Sequence, residues 1–507
     1  MGTTQTDGKP RTGKVLRALG WAAAWLLALV GLVLFLGSVW VRRKFGVVSI
    51  DQALMNIPEP GKNIPGGWDL VLEGTLWIVV LPIVIWVAAL LLWRWTRRPS
   101  FRSSSPKLGL AVSIAWVPVL LLLVPASGLY QGNLTFDLQT YLQARNSKMD
   151  MQDYYAVPEF DQPLIDKSNL VLIYLESVED AMGLVPPFEL NMLAPVQEAT
   201  EDWQSIPALE QYAGGGWTMS GIVSTQCGIP LRSGNAHTTS AEMNVLGAET
   251  SRFLSGAVCL GDVLADAGYQ NVFMGGADSA FAGKHSFLEQ HGYQTIKDLN
   301  TWEAAGETEM RSDWGLSDRR LMDLAKDQLM ELRDSGQPYN LTLLTLDTHD
   351  GPRPHDYCPV TTDVPMTSIT ECSMSQVAGF LEFMEDEGFL EDTAVVVMGD
   401  HLKFVAETNS FWDELRPLEN RTIFNRFHSP EEVKVVDTFT DQLDMYPTIL
   451  DLMGLDPVDG RAGLGVSALE KGQPKGSVRS LSPDQYHELL FSRSLDFYNR
   501  MWGQLPN

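Results

Sequence analysis

Three stretches without a charged side chain decide in which solvent the first part of this chain folds. They lie between Arg17 and Arg42 (24 residues), Glu73 and Arg94 (20) and Lys107 and Asp137 (29). A bilayer core takes about 20 apolar residues per helix, so each stretch is long enough to span it. A cleaved leader does not account for the first stretch. It is too long, the Arg42-Arg43-Lys44 flank is wrong for a cleavage site, and two more spans follow. Residues 1–130 are therefore expected to form a membrane domain of three transmembrane helices.

Loop charge orients these helices. Lys9, Arg11, Lys14 and Arg17 before the first span, and Arg94, Arg97, Arg98, Arg102 and Lys107 between the second and third, read as cytoplasmic. Arg42, Arg43 and Lys44 then fall outside, a local exception. Trp21, Trp40, Trp77, Trp93 and Trp95 sit near span ends, where interfacial anchors belong. Everything after about residue 130 is thus expected outside the cytoplasm. Charge divides at the same point: of the formal −26, residues 1–130 carry +8 and residues 131–507 carry −34. So acidic an exported part repels phosphate backbones, which argues against nucleic acid as a partner.

Residues 131–165 are polar and read as a connector, 166–460 as the main exported domain, and 461–507 as a polar, aromatic-tailed C-terminal extension. Near-continuous apolar runs at 169–175, 271–276, 341–346 and 393–399 alternate with helical patterns such as 259–268 and 318–334. Such alternation predicts an α/β fold with a mostly parallel sheet covered by helices on both faces. All four cysteines fall in this part. An even count in an oxidising compartment suggests two disulfides, Cys358 with Cys372 and Cys227 with Cys259. The alternative leaves Cys227 a free, reactive thiol.

In an open α/β sheet, ligands gather at the carboxyl ends of the strands. Glu176 follows the first run, Asp347 and His349 the third, Asp400 and His401 the fourth. Carboxylate oxygens and imidazole nitrogen suit Zn²⁺ or Mn²⁺, although each residue alone also reads as a strand-end charge or a turn. The segment 217–235 places Ser224, Thr225 and Cys227 ahead of an expected helix. A hydroxyl there, beside a metal, would be a primed nucleophile; the ordinary alternative is an N-cap.

The strings LIYLES, STQCGIPL, LTLDTH and VVVMGDH, in this order behind membrane spans, resemble the phosphoglycerol transferase I family. Its members are inner-membrane enzymes of Gram-negative bacteria with a sulfatase-like domain of the alkaline phosphatase superfamily. Lipoteichoic acid synthases and phosphoethanolamine transferases are more distant relatives. The resemblance runs from about 165 to 455 and includes CLGDVLADAGYQNVF, GKHSFLEQHGY, DWGLSD and DMYPTIL. It implies Glu176, Asp400 and His401 as ligands of a divalent metal (Mn, Zn or Mg). It also implies a nucleophile in STQC, expected at Thr225, itself a metal ligand, with Cys227 as the alternative. Cys227-Gly-Ile-Pro-Leu lacks the Ser and Arg of the C-x-P-S-R string in true sulfatases. His349 is implied as the residue that contacts phosphate or protonates the leaving group. Lys284, Asp313, Trp314 and His428 are expected to bind substrate.

The activity so implied moves the glycerophosphate headgroup of phosphatidylglycerol, through a covalent enzyme intermediate, to a periplasmic oligosaccharide. The catalytic domain is then periplasmic, tethered to an inner membrane that supplies its donor. Other enzymes of the superfamily (a phosphoethanolamine transferase, a phosphodiesterase, a sulfatase) and a non-catalytic membrane sensor on this fold are the alternatives.

Overall fold

The computed structural model describes residues 11–48, 53, 67–98, 115–136, 147–162, 164, 167–232, 253–436, 440–470 and 474–503. Lys9, Arg102 and Lys107, invoked above for orientation, and residues 233–235 of the segment 217–235 lie outside the described residues. The chain divides into two compact units, residues 1–47 with 67–139, and 48–66 with 140–507.

In the first unit the helices Val15–Phe45, Leu70–Thr96 and Ala115–Phe136 are each long and apolar enough to cross a membrane. A helix hides its own backbone polar groups from lipid, which is why such sequences span as helices. The first and third meet at glycines: a Cβ on Gly128 would stand 2.5 Å from the Gly31 carbonyl oxygen. Small residues let helix backbones approach where lipid gives no hydrophobic drive. Trp25 packs against Trp86, Trp93 and Trp116, and the Trp86 indole donates to the Trp25 carbonyl at 2.8 Å.

The second unit is built on a six-stranded sheet. Its strands are β1 (Asn169–Leu175), β2 (Gln270–Gly275), β3 (Thr295–Lys297), β4 (Tyr339–Leu344), β5 (Thr393–Gly399) and β6 (Asn425–His428), ordered β3-β2-β4-β1-β5-β6. The first five are parallel and β6 runs antiparallel at the edge. The predicted α/β architecture is therefore present, with one antiparallel addition.

Side chains alternate between two cores. Leu170, Leu172 and Tyr174 of β1, with Ala394, Val396 and Met398 of β5, enter one; Val171, Ile173 and Leu175, with Val395 and Val397, enter the other. Burial on both faces is why these strands are unbroken apolar runs. The first core is closed by α1 (Thr218–Cys227), α2 (Leu260–Asp266), α3 (Lys284–Gln290) and, further on, Met445–Leu452. The second is closed by α4 (Asp318–Ser335) and α5 (Pro365–Asp386). α4 shows how locally this is written: Ser317 caps its first turn by accepting from the Arg320 amide, and Gly336 ends it in the left-handed conformation.

Both expected disulfides form, Cys227–Cys259 and Cys358–Cys372. The C-terminal residues contribute core as well: Leu489, Leu490, Phe497, Tyr498, Met501 and Trp502 pack into the first cluster. The Tyr498 hydroxyl donates to the Pro230 carbonyl and the Trp502 indole to that of Arg232, both at 2.9 Å. These two contacts hold the chain just beyond α1.

Candidate functional site

Register brings the site together. Leu175 pairs with Gly399 and Tyr174 with Leu344, so β1, β4 and β5 end at one level and release Glu176, the 345–349 turn and Asp400-His401 side by side. One ligand atom each from Glu176, Asp400 and His401 lie within 4.8 Å of one another, all three residues buried. His401 Nε2 stands 3.6 Å from Glu176 Oε1 and 3.6 Å from Asp400 Oδ2. Its other ring nitrogen donates to the Leu402 carbonyl at 2.8 Å, which turns the Nε2 lone pair toward the carboxylates. Asp400 Oδ1 accepts from the Ser177 and His401 amides, both at 2.8 Å, whereas its buried Oδ2 has no hydrogen-bond partner among the described residues. Ser177 adopts φ +56°, a strained conformation in a non-glycine residue, between the two carboxylates.

Electrostatics agree with the geometry. Burial, and then the Glu176 charge, push Asp400 up to about 7. Burial also works against Glu176, but His401, His349 and the Ser177 hydroxyl outweigh it and hold its carboxyl at about 2. Two buried carboxylates converge on one imidazole, and the unbonded Asp400 Oδ2 lies in the same space. That donor set fits a divalent cation. A second trio, Cys259, Asp262 and His291, also clusters. There the sulfur is in a disulfide and both ring nitrogens are engaged, with Asp262 and the Phe253 carbonyl.

Thr225 does not join this cluster. Its hydroxyl donates to the Gly221 carbonyl at 2.8 Å and lies 2.6 Å from the Tyr174 hydroxyl, fully buried on the sheet face of α1. Besides Ser177, whose hydroxyl donates to Glu176 Oε1 at 2.6 Å, the hydroxyl from α1 that faces the cluster is that of Thr218, its first residue, donating to Glu176 Oε2 at 3.2 Å. The difference comes from where the helix lies. The segment was expected to precede a helix; instead it is the helix, ending at Cys227 with Gly228 at φ +63°. A left-handed glycine followed shortly by proline is a helix-stop pattern, and Gly228-Ile229-Pro230 carries it. Read that way, the N-terminus falls seven residues before Thr225, after the glycines 214–216. Cys227 is excluded as the alternative nucleophile because its sulfur is bonded to Cys259.

Of the other expected residues, His349 lies on the turn after β4, its ring 4.4 Å from that of Trp314. Burial lowers its pKa while the Glu176 charge raises it, with a net downward shift. Lys284 opens α3 buried, its ammonium depressed by burial and attracted by Glu176 and Asp400. Asp313 pairs with Arg311 at 3.0 Å. His428 is misplaced: it pairs with Val395 near the start of β5, about 13 Å of strand from Gly399, and binds the Leu390 carbonyl. The antiparallel direction of β6 carries it to the wrong end of the sheet.

Two residues besides Thr218 escaped the sequence reading. The Arg311 side chain, completely buried, donates to the carbonyls of Leu346 and Asp347 at 3.0 and 2.9 Å and of Gly351 at 3.1 Å, clamping the turn that bears His349. Lys403, equally buried, donates to the Thr348 carbonyl at 2.6 Å. Neither belongs to a spacing pattern; both act on backbone carbonyls that only the fold assembles.

Residues 168–455 match the Sulfatase family, and the chain belongs to it. Over 502 residues, 94% of this chain, it is 31% identical to phosphoglycerol transferase I of Xanthomonas campestris pv. campestris. Over 352 residues, 66% of this chain, it is 31% identical to the protein of that name from Shigella flexneri. The chain spans 66% of the first protein and 43% of the second. Among solved structures it is similar to an alkaline phosphatase superfamily protein of Vibrio parahaemolyticus (18% identity, 68% of this chain and 81% of that one, TM-score 0.48). It is also similar to a lipoteichoic acid synthase of Listeria monocytogenes (15% identity, 73% and 98%, TM-score 0.48).

Proposed function

We propose that this chain is a membrane-anchored phosphoglycerol transferase that takes the glycerophosphate of phosphatidylglycerol onto Thr218 and passes it to an oligosaccharide. The observation that carries this reading is the Thr218 hydroxyl, at the N-terminus of α1 and 3.2 Å from Glu176 in the Glu176/Asp400/His401 cluster. Glu176, Thr218, Asp400 and His401 would hold a divalent cation of the Zn, Mn or Mg class. When bound, such an ion lowers the pKa of a ligating hydroxyl and offsets charge on phosphoryl oxygens.

In the first half-reaction Thr218 Oγ1 bonds to phosphorus and the bond to the diacylglycerol oxygen breaks. The proton lost by Thr218 is balanced by the one diacylglycerol gains, with His349 as its carrier. In the second, a sugar hydroxyl gives its proton to His349 and bonds to phosphorus, and Thr218 leaves with a proton. One phosphodiester replaces another, so no ATP is required. Free amides at the start of α1 favour the anionic phosphate. Buried Lys284 adds positive charge beside it.

The three spans keep the catalytic unit beside a lipid donor, and two disulfides suit an oxidising compartment such as the periplasm bounded by a bacterial inner membrane. The test is mass spectrometry of the full chain incubated with phosphatidylglycerol vesicles and divalent cation. A glycerophosphate adduct should appear on Thr218, persist in Thr225→Ala and vanish in Thr218→Ala. An adduct on Thr225, or none in wild type, would overturn the reading.

A further inference from the structure

A line of three aromatic rings runs from the site to the surface. His349 meets Trp314 at an interplanar angle of 50°, and Trp314 meets Phe281 edge to face at 66° with ring centroids 5.7 Å apart. His349 and Trp314 are half-buried, and Phe281 is 37% exposed. An exposed phenylalanine on a mobile loop would mean little, but this one sits on a braced turn. Ser279 donates its amide, at 3.1 Å, and its hydroxyl to Asp298, and the His285 amide donates to the Ser279 carbonyl at 2.7 Å. An antiparallel bridge between Ala277 and Gly315 fixes this turn against the segment carrying Trp314.

The surroundings of the rings are polar. Asp278, three residues before Phe281, holds the Ala280 amide at 2.8 Å, and exposed Arg353 stands 3.8 Å from Asp313, the residue before Trp314. An acyl chain seeks a seat that is apolar throughout. A pyranose ring offers an apolar C–H face with hydroxyls around its edge, which matches an exposed phenylalanine face with charged residues near it in the chain.

We propose that Phe281 and Trp314 form the acceptor subsite, a stacking platform that delivers a sugar hydroxyl to His349. This rests on the transferase reading above and assigns the side from which the second substrate enters. It also bears on the choice between transfer and hydrolysis: a sugar held on the rings displaces water from the approach to the phosphorus.

The test is steady-state kinetics of the full chain with phosphatidylglycerol vesicles and a short glucose oligosaccharide, following diacylglycerol, free glycerophosphate and glycerophosphoryl sugar. Phe281→Ala should raise the KM for sugar about tenfold, equivalent to about 1.4 kcal/mol. It should also shift product toward free glycerophosphate, with less than about a twofold change in the KM for lipid. Phe281→Trp should restore the sugar KM. Leu184→Ala, which trims an exposed apolar side chain elsewhere, is the control and should match wild type. A sugar KM unmoved by Phe281→Ala overturns the platform while leaving the transferase reading in place. A rise in lipid KM instead makes the rings an acyl-chain seat and overturns it likewise. Wild-type protein that releases no diacylglycerol overturns the transferase reading and the platform with it.

Discussion

Helix α1 approaches the Asp400 backbone so closely that only glycine fits at position 221. A Cβ there would stand 2.1 Å from the Asp400 carbonyl oxygen and 2.9 Å from its carbon. Gly221→Ala must therefore drive helix and strand end apart by about 1 Å to reach van der Waals separation. Asp400 is the less able to yield: its side chain takes two amide bonds and its carbonyl accepts from Gln442 at 2.8 Å. The helix moves instead, and Thr218, one turn earlier, moves with it. A displacement of that size lengthens the 3.2 Å contact to Glu176 beyond hydrogen-bonding range. Overpacking of this kind costs about 1–3 kcal/mol of stability, and misplacing a reacting group by about 1 Å costs roughly 100-fold in rate. Diacylglycerol release from phosphatidylglycerol vesicles should fall by about that factor, with Tm lowered by only a few degrees. A variant with wild-type rate and wild-type Tm would refute the placement of α1 against Asp400, and with it Thr218 as the attacking group.

Replacing both Cys227 and Cys259 by Ala should leave the adduct on Thr218 while lowering stability, because the bridge closes a loop of 32 residues worth about 3.7 kcal/mol by chain entropy; loss of the adduct from a folded variant would reinstate the thiol. Arg311→Met strips buried carbonyls of their donor and leaves Asp313 only Arg353, so it should destabilise by about 1–3 kcal/mol and lower kcat; the same Tm and kcat as wild type would dismiss the clamp. Saturating Zn²⁺ or Mn²⁺ at about 100 times its Kd should add about 2.7 kcal/mol of stability, and Asp400→Ala should abolish that shift in a thermal melt. Burial and then Asp444 push Asp441 up to about 7. The unfolded chain ionises this group near pH 4, so stability should fall as pH rises from about 4 to about 7 and level off above. Asp441→Asn should flatten that slope in denaturant titrations, and an unaltered slope would assign it to other groups.

Strands buried on both faces were legible because two-sided burial leaves an unbroken apolar run, as in 393–399, where expectation and β5 coincide. β3 and β6 were not: Thr295–Lys297 and Asn425–His428 are short edge strands whose polar residues carry no period. Glu176, Asp400 and His401 could be read because each directly follows a strand. Thr218 could not be read without first ending its helix at Gly228; the resemblance pointed to STQC, and Thr225 within it lies on the buried face of that helix. The role of residues 489–502 was hidden for another reason. Their apolar side chains are interspersed with polar ones, and only the tertiary fold shows which face is covered.

The bonds from Tyr498 and Trp502 to Pro230 and Arg232 link positions 268 and 270 residues apart. Closing so long a loop adds little to the equilibrium cost, since each doubling of length costs only about 0.6 kcal/mol, but contacts of such separation are slow to form. The helix that begins at Thr218 is therefore pinned from behind by contacts that form late. On the transferase reading proposed above, a chain whose central sheet has already formed would stay inactive until its final turns have docked.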